Sequence, residues 1–83
     1  EDLPSVSLTA AEVGDGISIV QLLVKTGLCG TGKEAKRLIA DGGARLNDDA
    51  VENAGVVITA QRLSDTVKLS AGKKRHALAR LDG

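Results

Sequence analysis

No Phe, Tyr, Trp or Met occurs anywhere in the 83 residues, and that absence constrains the chain more than any other feature. Aromatic side chains bury about 150–250 Å² each and dominate most cores, so here the interior must be filled by Leu, Val, Ile and Ala alone. Such a core is aliphatic and thin. The length allows one small domain, close to the size at which a single core becomes hard to stabilise. The same absence removes base-stacking platforms and cation–π cages. Any contact with a nucleic acid has to run through backbone and shape.

Helical periodicity opens at Ser18. Ile19, Leu22 and Leu23 recur at i, i+3 and i+4, Ser18 is placed to cap the start and Gly27 to stop the run, which predicts a helix over about Ser18–Thr26. After Leu28-Cys29-Gly30 a second helix is predicted with Thr31 as N-cap. Glu34 stands three residues on, the spacing at which each side chain satisfies the other's free backbone N–H. That helix ends at Gly42-Gly43. Beyond it the pattern turns strand-like: Ala44–Leu46, a turn at Asn47-Asp48-Asp49, Val51, Val56–Thr59, then Val67 and Leu69 alternating with Lys68 and Ser70. Ala71-Gly72-Lys73 predicts a turn, and Lys74–Leu81 a last strand. Helices segregated from strands predict an α+β fold, two short helices packed on a small antiparallel sheet of about four to five strands.

The formal charge is zero, with 11 basic and 11 acidic residues, which taken whole argues against a nucleic-acid binder. The distribution reverses that inference. Residues 1–15 hold four acids and no base, so 16–83 hold all 11 bases against seven acids, a balance of +4. Residues 1–16, with the one proline, read as an acidic linker, although Val6-Ser7-Leu8 alternates like a strand able to dock; residues 17–83 read as the domain proper. One free cysteine, no secretory leader and no apolar run long enough to span a membrane fit a cytoplasmic protein.

On a helical wheel of residues 33–41, Ala35, Leu38 and Ile39 share one side and Lys33, Lys36 and Arg37 the other. These cations begin near a helix N-terminus, where free N–H groups and the dipole already favour anions. Lys73-Lys74-Arg75-His76 forms a second cluster at a hairpin turn, with Arg45 placed to extend the surface. Solvation of an exposed face is the bland alternative, but clustered like charges repel unless a polyanion relieves them.

Gly27–Lys33 imitates a nucleotide-binding G-x-x-x-x-G-K loop, yet Glu34 replaces the Mg²⁺-binding hydroxyl and a helix, not a strand, precedes it. Cys29 and His76 lack a third, orienting group for nucleophilic catalysis. One Cys and one His do not build an ordinary zinc site, and Asp48, Asp49 and Glu52 lack the spacing of a calcium loop.

The run Ile19–Asn47, with Leu22-Leu23 before Thr26-Gly27-Leu28, then Glu34–Ile39, Gly42-Gly43 and Leu46-Asn47, resembles the alpha-L RNA-binding motif of ribosomal, pseudouridine-synthase, ribosome-rescue and synthetase proteins. The acidic leader and the hairpin Leu69–Leu81 near the end make it similar to the carboxyl-terminal domain of bacterial tyrosyl-tRNA synthetases. That resemblance implies an appended RNA-binding module with no catalytic residue, metal or cofactor of its own. Its parent would be an ATP-dependent tyrosine-tRNA ligase, a homodimer, while the isolated domain would be monomeric. Lys33, Lys36, Arg37, Arg45, Lys73, Lys74 and Arg75 would contact tRNA, commonly around a long variable arm. A ribosomal, rescue or modification module of the same fold, or a protein-docking module without RNA contact, are the alternatives.

Overall fold

A computed structural model describes residues 3–82. Both predicted helices form. α2 (Ile19–Lys25) is capped by Ser18, whose hydroxyl accepts the Gln21 N–H at 3.1 Å, and it buries Ile19, Leu22 and Leu23. α3 (Gly32–Ala40) is capped by Thr31, which accepts the Glu34 N–H at 3.1 Å. The return bond is displaced by one residue: the Glu34 carboxylate accepts from Gly30 N–H at 2.8 Å rather than from Thr31. Glu34 thereby fastens the α2–α3 connection as well as the helix start.

The end of α3 is equally local. Gly42, at φ +78°, takes the left-handed conformation, its N–H donating to Ile39 O at 3.0 Å while Gly43 N–H donates to Leu38 O at 2.9 Å. This pair of hydrogen bonds is the Schellman arrangement, which satisfies carbonyls of the last turn and turns the chain sharply. A Cβ on Gly43 would stand 2.7 Å from Leu38 Cδ1. Gly42→Ala is expected to lose about 1–2 kcal/mol in urea unfolding, the cost of forcing an L-residue into this region, and Gly42→Asn less.

The strands are β3 (Ala44–Leu46), β4 (Asp49–Ala50), β6 (Val67–Ala71) and β7 (Arg75–Asp82), joined antiparallel, with β1 (Ser5–Thr9) on the far edge; the order is β1-β7-β6-β3-β4. Five strands form an α+β unit as expected, but the sheet is mixed, because β1 runs parallel to β7 in the register Ser5↔Leu78 to Thr9↔Asp82. Asn47 (φ +52°) and Asp48 (φ +72°) make a two-residue β3–β4 turn whose left-handed pair matches the twist of a hairpin. Asp49 therefore belongs to β4 rather than to the turn. The Val56–Thr59 stretch contributes β5 (Val57–Ile58), which pairs with β2 (Ile17–Ser18) in a separate ribbon.

Two helices were not legible in the pattern. α1 (Ala10–Val13) and α4 (Ala60–Ser64) span four and five residues, too short for a 3.6-residue period to repeat, and each buries one side chain, Val13 and Leu63. Much of the stretch expected to act as a linker is thus built into the fold: Leu8 of β1 and Val13 of α1 are 1% and 2% exposed. Alternation turns Leu8, Ala44, Leu46, Leu69, Ala77 and Ala79 to one face of the sheet, where they meet Ile19, Leu22, Leu23, Ala35 and Ile39 from the helices. The thin aliphatic core is this single cluster.

Candidate nucleic-acid interface

Lys33, Lys36, Arg37, Arg45, Lys73, Lys74 and Arg75 are all exposed. Among the described residues two salt bridges occur, Lys25–Glu12 at 3.0 Å and Lys68–Asp48 at 2.9 Å, and neither uses any of these seven. α3 has Ala35 and Ile39 in the core, so its opposite side presents Lys33, Lys36 and Arg37 outward. Lys33 is the second helical residue, against the dipole, whereas Arg37 lies in the last turn, where a cation also stabilises the helix end.

Long-range hydrogen bonds seat the β6–β7 tip against the helices. Gly72 N–H donates to Gly43 O at 2.7 Å, and the Arg75 guanidinium donates to Gly27 O at 3.1 Å. Lys73 and Lys74 therefore project from a turn held at the ends of α2 and α3. Arg45 follows the buried Ala44 and precedes the buried Leu46, so it projects from the sheet face turned away from the core. The fold brings the hairpin cluster to the helix pair and sends Arg45 to the other side.

Asp48, Glu12 and Cys29 are shifted by their surroundings in the fold. The Lys68 ammonium holds the Asp48 carboxyl below its usual range, with Arg45 and His76 adding at longer reach. The Thr9 backbone N–H, followed by Lys25, does the same for Glu12. A depressed carboxylate stabilises the fold above its unfolded pKa, and that contribution fades as pH falls through the folded value. Burial, followed by the Glu34 charge, pushes the Cys29 thiol up, so it stays protonated and unreactive at neutral pH. The glycine-rich loop joins α2 to α3, and Glu34 is occupied by Gly30. No helix of the described residues is long and apolar enough to cross a membrane.

No protein-family model matches the chain. The tyrosine–tRNA ligase of Dinoroseobacter shibae is 59% identical over 78 residues, covering 94% of this chain and 19% of the ligase. Those of Ruegeria pomeroyi and Roseobacter denitrificans are 59% and 57% identical over 81 residues, 98% of this chain. The chain corresponds to the carboxyl-terminal domain of tyrosine–tRNA ligases. It spans about a fifth of the length of these relatives. In this ligase domain the residues that carry the alpha-L resemblance, Ile19–Asn47, are α2, α3, β3 and the first residue of the β3–β4 turn.

Proposed function

We propose that this domain grips tRNA through the phosphate backbone, as an appended module of a parent that joins tyrosine to tRNA at the expense of ATP. The observation that carries the proposal is the set of six exposed cations on α3 and the hairpin tip, none of them in a salt bridge among the described residues, on a chain without one aromatic ring. Such a surface suits an A-form stem, whose phosphates and 2′-hydroxyls are recognised by shape without splaying bases. Lys33, Lys36 and Arg37 form one anchor and Lys73, Lys74 and Arg75 the other, with Arg45 an outlying contact. Residues 1–16 lead from the catalytic body, which holds ATP and forms the homodimer; the domain itself is monomeric, works without a cofactor, and acts in the cytoplasm.

A protein-docking role is disfavoured by the scarcity of apolar surface. Among the described residues only Leu3 and Val57 expose a large hydrophobic side chain, at 37% and 54%. The test is a salt titration. With about five phosphates neutralised, log affinity for tRNA is expected to fall with log salt at a slope of roughly −3.5 to −4.5. A tRNA with a long variable arm should bind more tightly than a ribosomal RNA helix in the same titration. A flat salt dependence, or preference for the ribosomal helix, would overturn the assignment.

A further inference from the structure

The open face of the sheet carries a second group of cations, separate from the helix face and the hairpin tip. Alternation turns the cations Arg45 of β3, Lys68 of β6 and Arg80 of β7 away from the core, with the His76 imidazole of β7 on the same face. Arg45, Ser70 and His76 share one register row across three adjacent strands, and Lys68 stands opposite Leu78 in the next. Neighbouring strands lie about 4.8 Å apart and same-face residues along a strand about 6.5–7 Å apart, so Arg45, Lys68 and His76 are neighbours, and Arg80 extends the same face two rows beyond His76 toward β1, ahead of Asp82.

Each of the four is held in place, and Arg45, Lys68 and Arg80 keep donors free. An Arg45 nitrogen donates to the Asp48 carbonyl at 3.2 Å, the Lys68 ammonium to the Asp48 carboxylate at 2.9 Å, and Arg80 Nε to Ser7 Oγ at 3.3 Å. His76 Nδ1 lies 2.8 Å from Oγ of Ser70, a residue only 1% exposed. The turn bearing Asp48 is itself pinned, since Asn47 N–H donates to Lys68 O at 2.8 Å and Asn47 Oδ1 accepts Lys68 N–H at 2.9 Å. Side chains already confined in this way lose less freedom when a ligand arrives. A guanidinium has five N–H donors, and Arg45 and Arg80 each spend one on the protein.

We propose that this open sheet face is a second phosphate-binding surface, taking an RNA sugar–phosphate strand across β3, β6 and β7, with Asp48 restraining its affinity by occupying Lys68. The inference rests on the tRNA-binding reading for its ligand, but Lys68, Arg80 and Asp48 play no part in that reading. It also gives Arg45, stranded from the other anchors, a local set of partners.

The test compares the 83-residue chain with three variants on one tRNA over a range of salt, with circular dichroism confirming each fold. Lys68→Gln/Arg80→Gln is expected to weaken binding about tenfold and to flatten the salt slope by roughly 1.4–1.8, the share of two phosphate contacts. Asp48→Asn is expected to tighten binding and steepen the slope by about 1, the opposite sign to any loss of structure. Lys36→Gln/Arg37→Gln reports the helix face separately. If both sheet variants bind like the parent chain while the helix pair weakens, the sheet proposal is overturned and the helix reading stands. If the sheet variants respond and the helix pair does not, the sheet proposal stands and the helix reading falls. No binding by the parent chain overturns both.

Discussion

A chain shortened to begin at Ile17 is expected to lose its cooperative unfolding transition. The missing residues supply β1, whose five residues pair along β7, and α1, which is tied to α2 by the Glu12–Lys25 ion pair at 3.0 Å. They also take Leu8 and Val13 out of the core, each about 1.5–3 kcal/mol of burial. A domain of this size has only about 4–12 kcal/mol of net stability. Removing the edge strand as well leaves β7 with an unpaired row of N–H and C=O groups, a template for aggregation. The point version isolates the packing contribution: Leu8→Ala is expected to cost about 2–5 kcal/mol in urea unfolding, and the exposed Ser5→Ala no more than about 0.5 kcal/mol. A shortened chain that unfolds cooperatively at the same urea concentration would show that β1 is an accessory.

Reversing two charges on α3, Lys36→Glu with Arg37→Glu, is expected to weaken tRNA binding by more than about 100-fold at low salt. Two phosphate contacts are lost, and two repulsions replace them, in an affinity dominated by counterion release. Both side chains are exposed and neither takes part in a salt bridge among the described residues, so the urea midpoint should shift by no more than a surface substitution does, about 0.5 kcal/mol. Binding that survives in a folded double variant would remove α3 from the interface. The pairing of a large binding loss with an intact fold is what separates recognition from solvation.

Several parts of the fold were legible because their causes are local. Ser18 and Thr31 cap helices whose first turns follow directly, and Gly42-Gly43 ends α3 through bonds to Leu38 and Ile39. α1 carried a readable signal too: Thr9 and Glu12 form a reciprocal capping box, with the Thr9 N–H donating to Glu12 Oε1 at 3.0 Å and Glu12 N–H to Thr9 Oγ1 at 3.2 Å. It was obscured by lying inside an acidic stretch that composition marked as linker. α4 had only the Thr59 cap and one buried residue, Leu63, too little for a periodicity to register. Of the candidate site, the helix-wheel separation of Lys33, Lys36 and Arg37 from Ala35 and Ile39 holds in the structure. The side taken by Arg45 depended on a strand register that no helical pattern encodes.

Taken alone, the sequence determined the starts and stops of α2 and α3, the aliphatic core and the confinement of positive charge to residues beyond 16, since each follows from neighbours within a few positions or from composition. Only the tertiary structure decided that the first strand lies parallel to the last, that Gly72 and Arg75 bring the hairpin tip to the helix ends, and that Arg45 joins Lys68, His76 and Arg80 on the open sheet face. These depend on hydrogen bonds between residues far apart in the chain, formed only once loop closure has been compensated by burial across the whole core, and no local window of sequence contains that free energy.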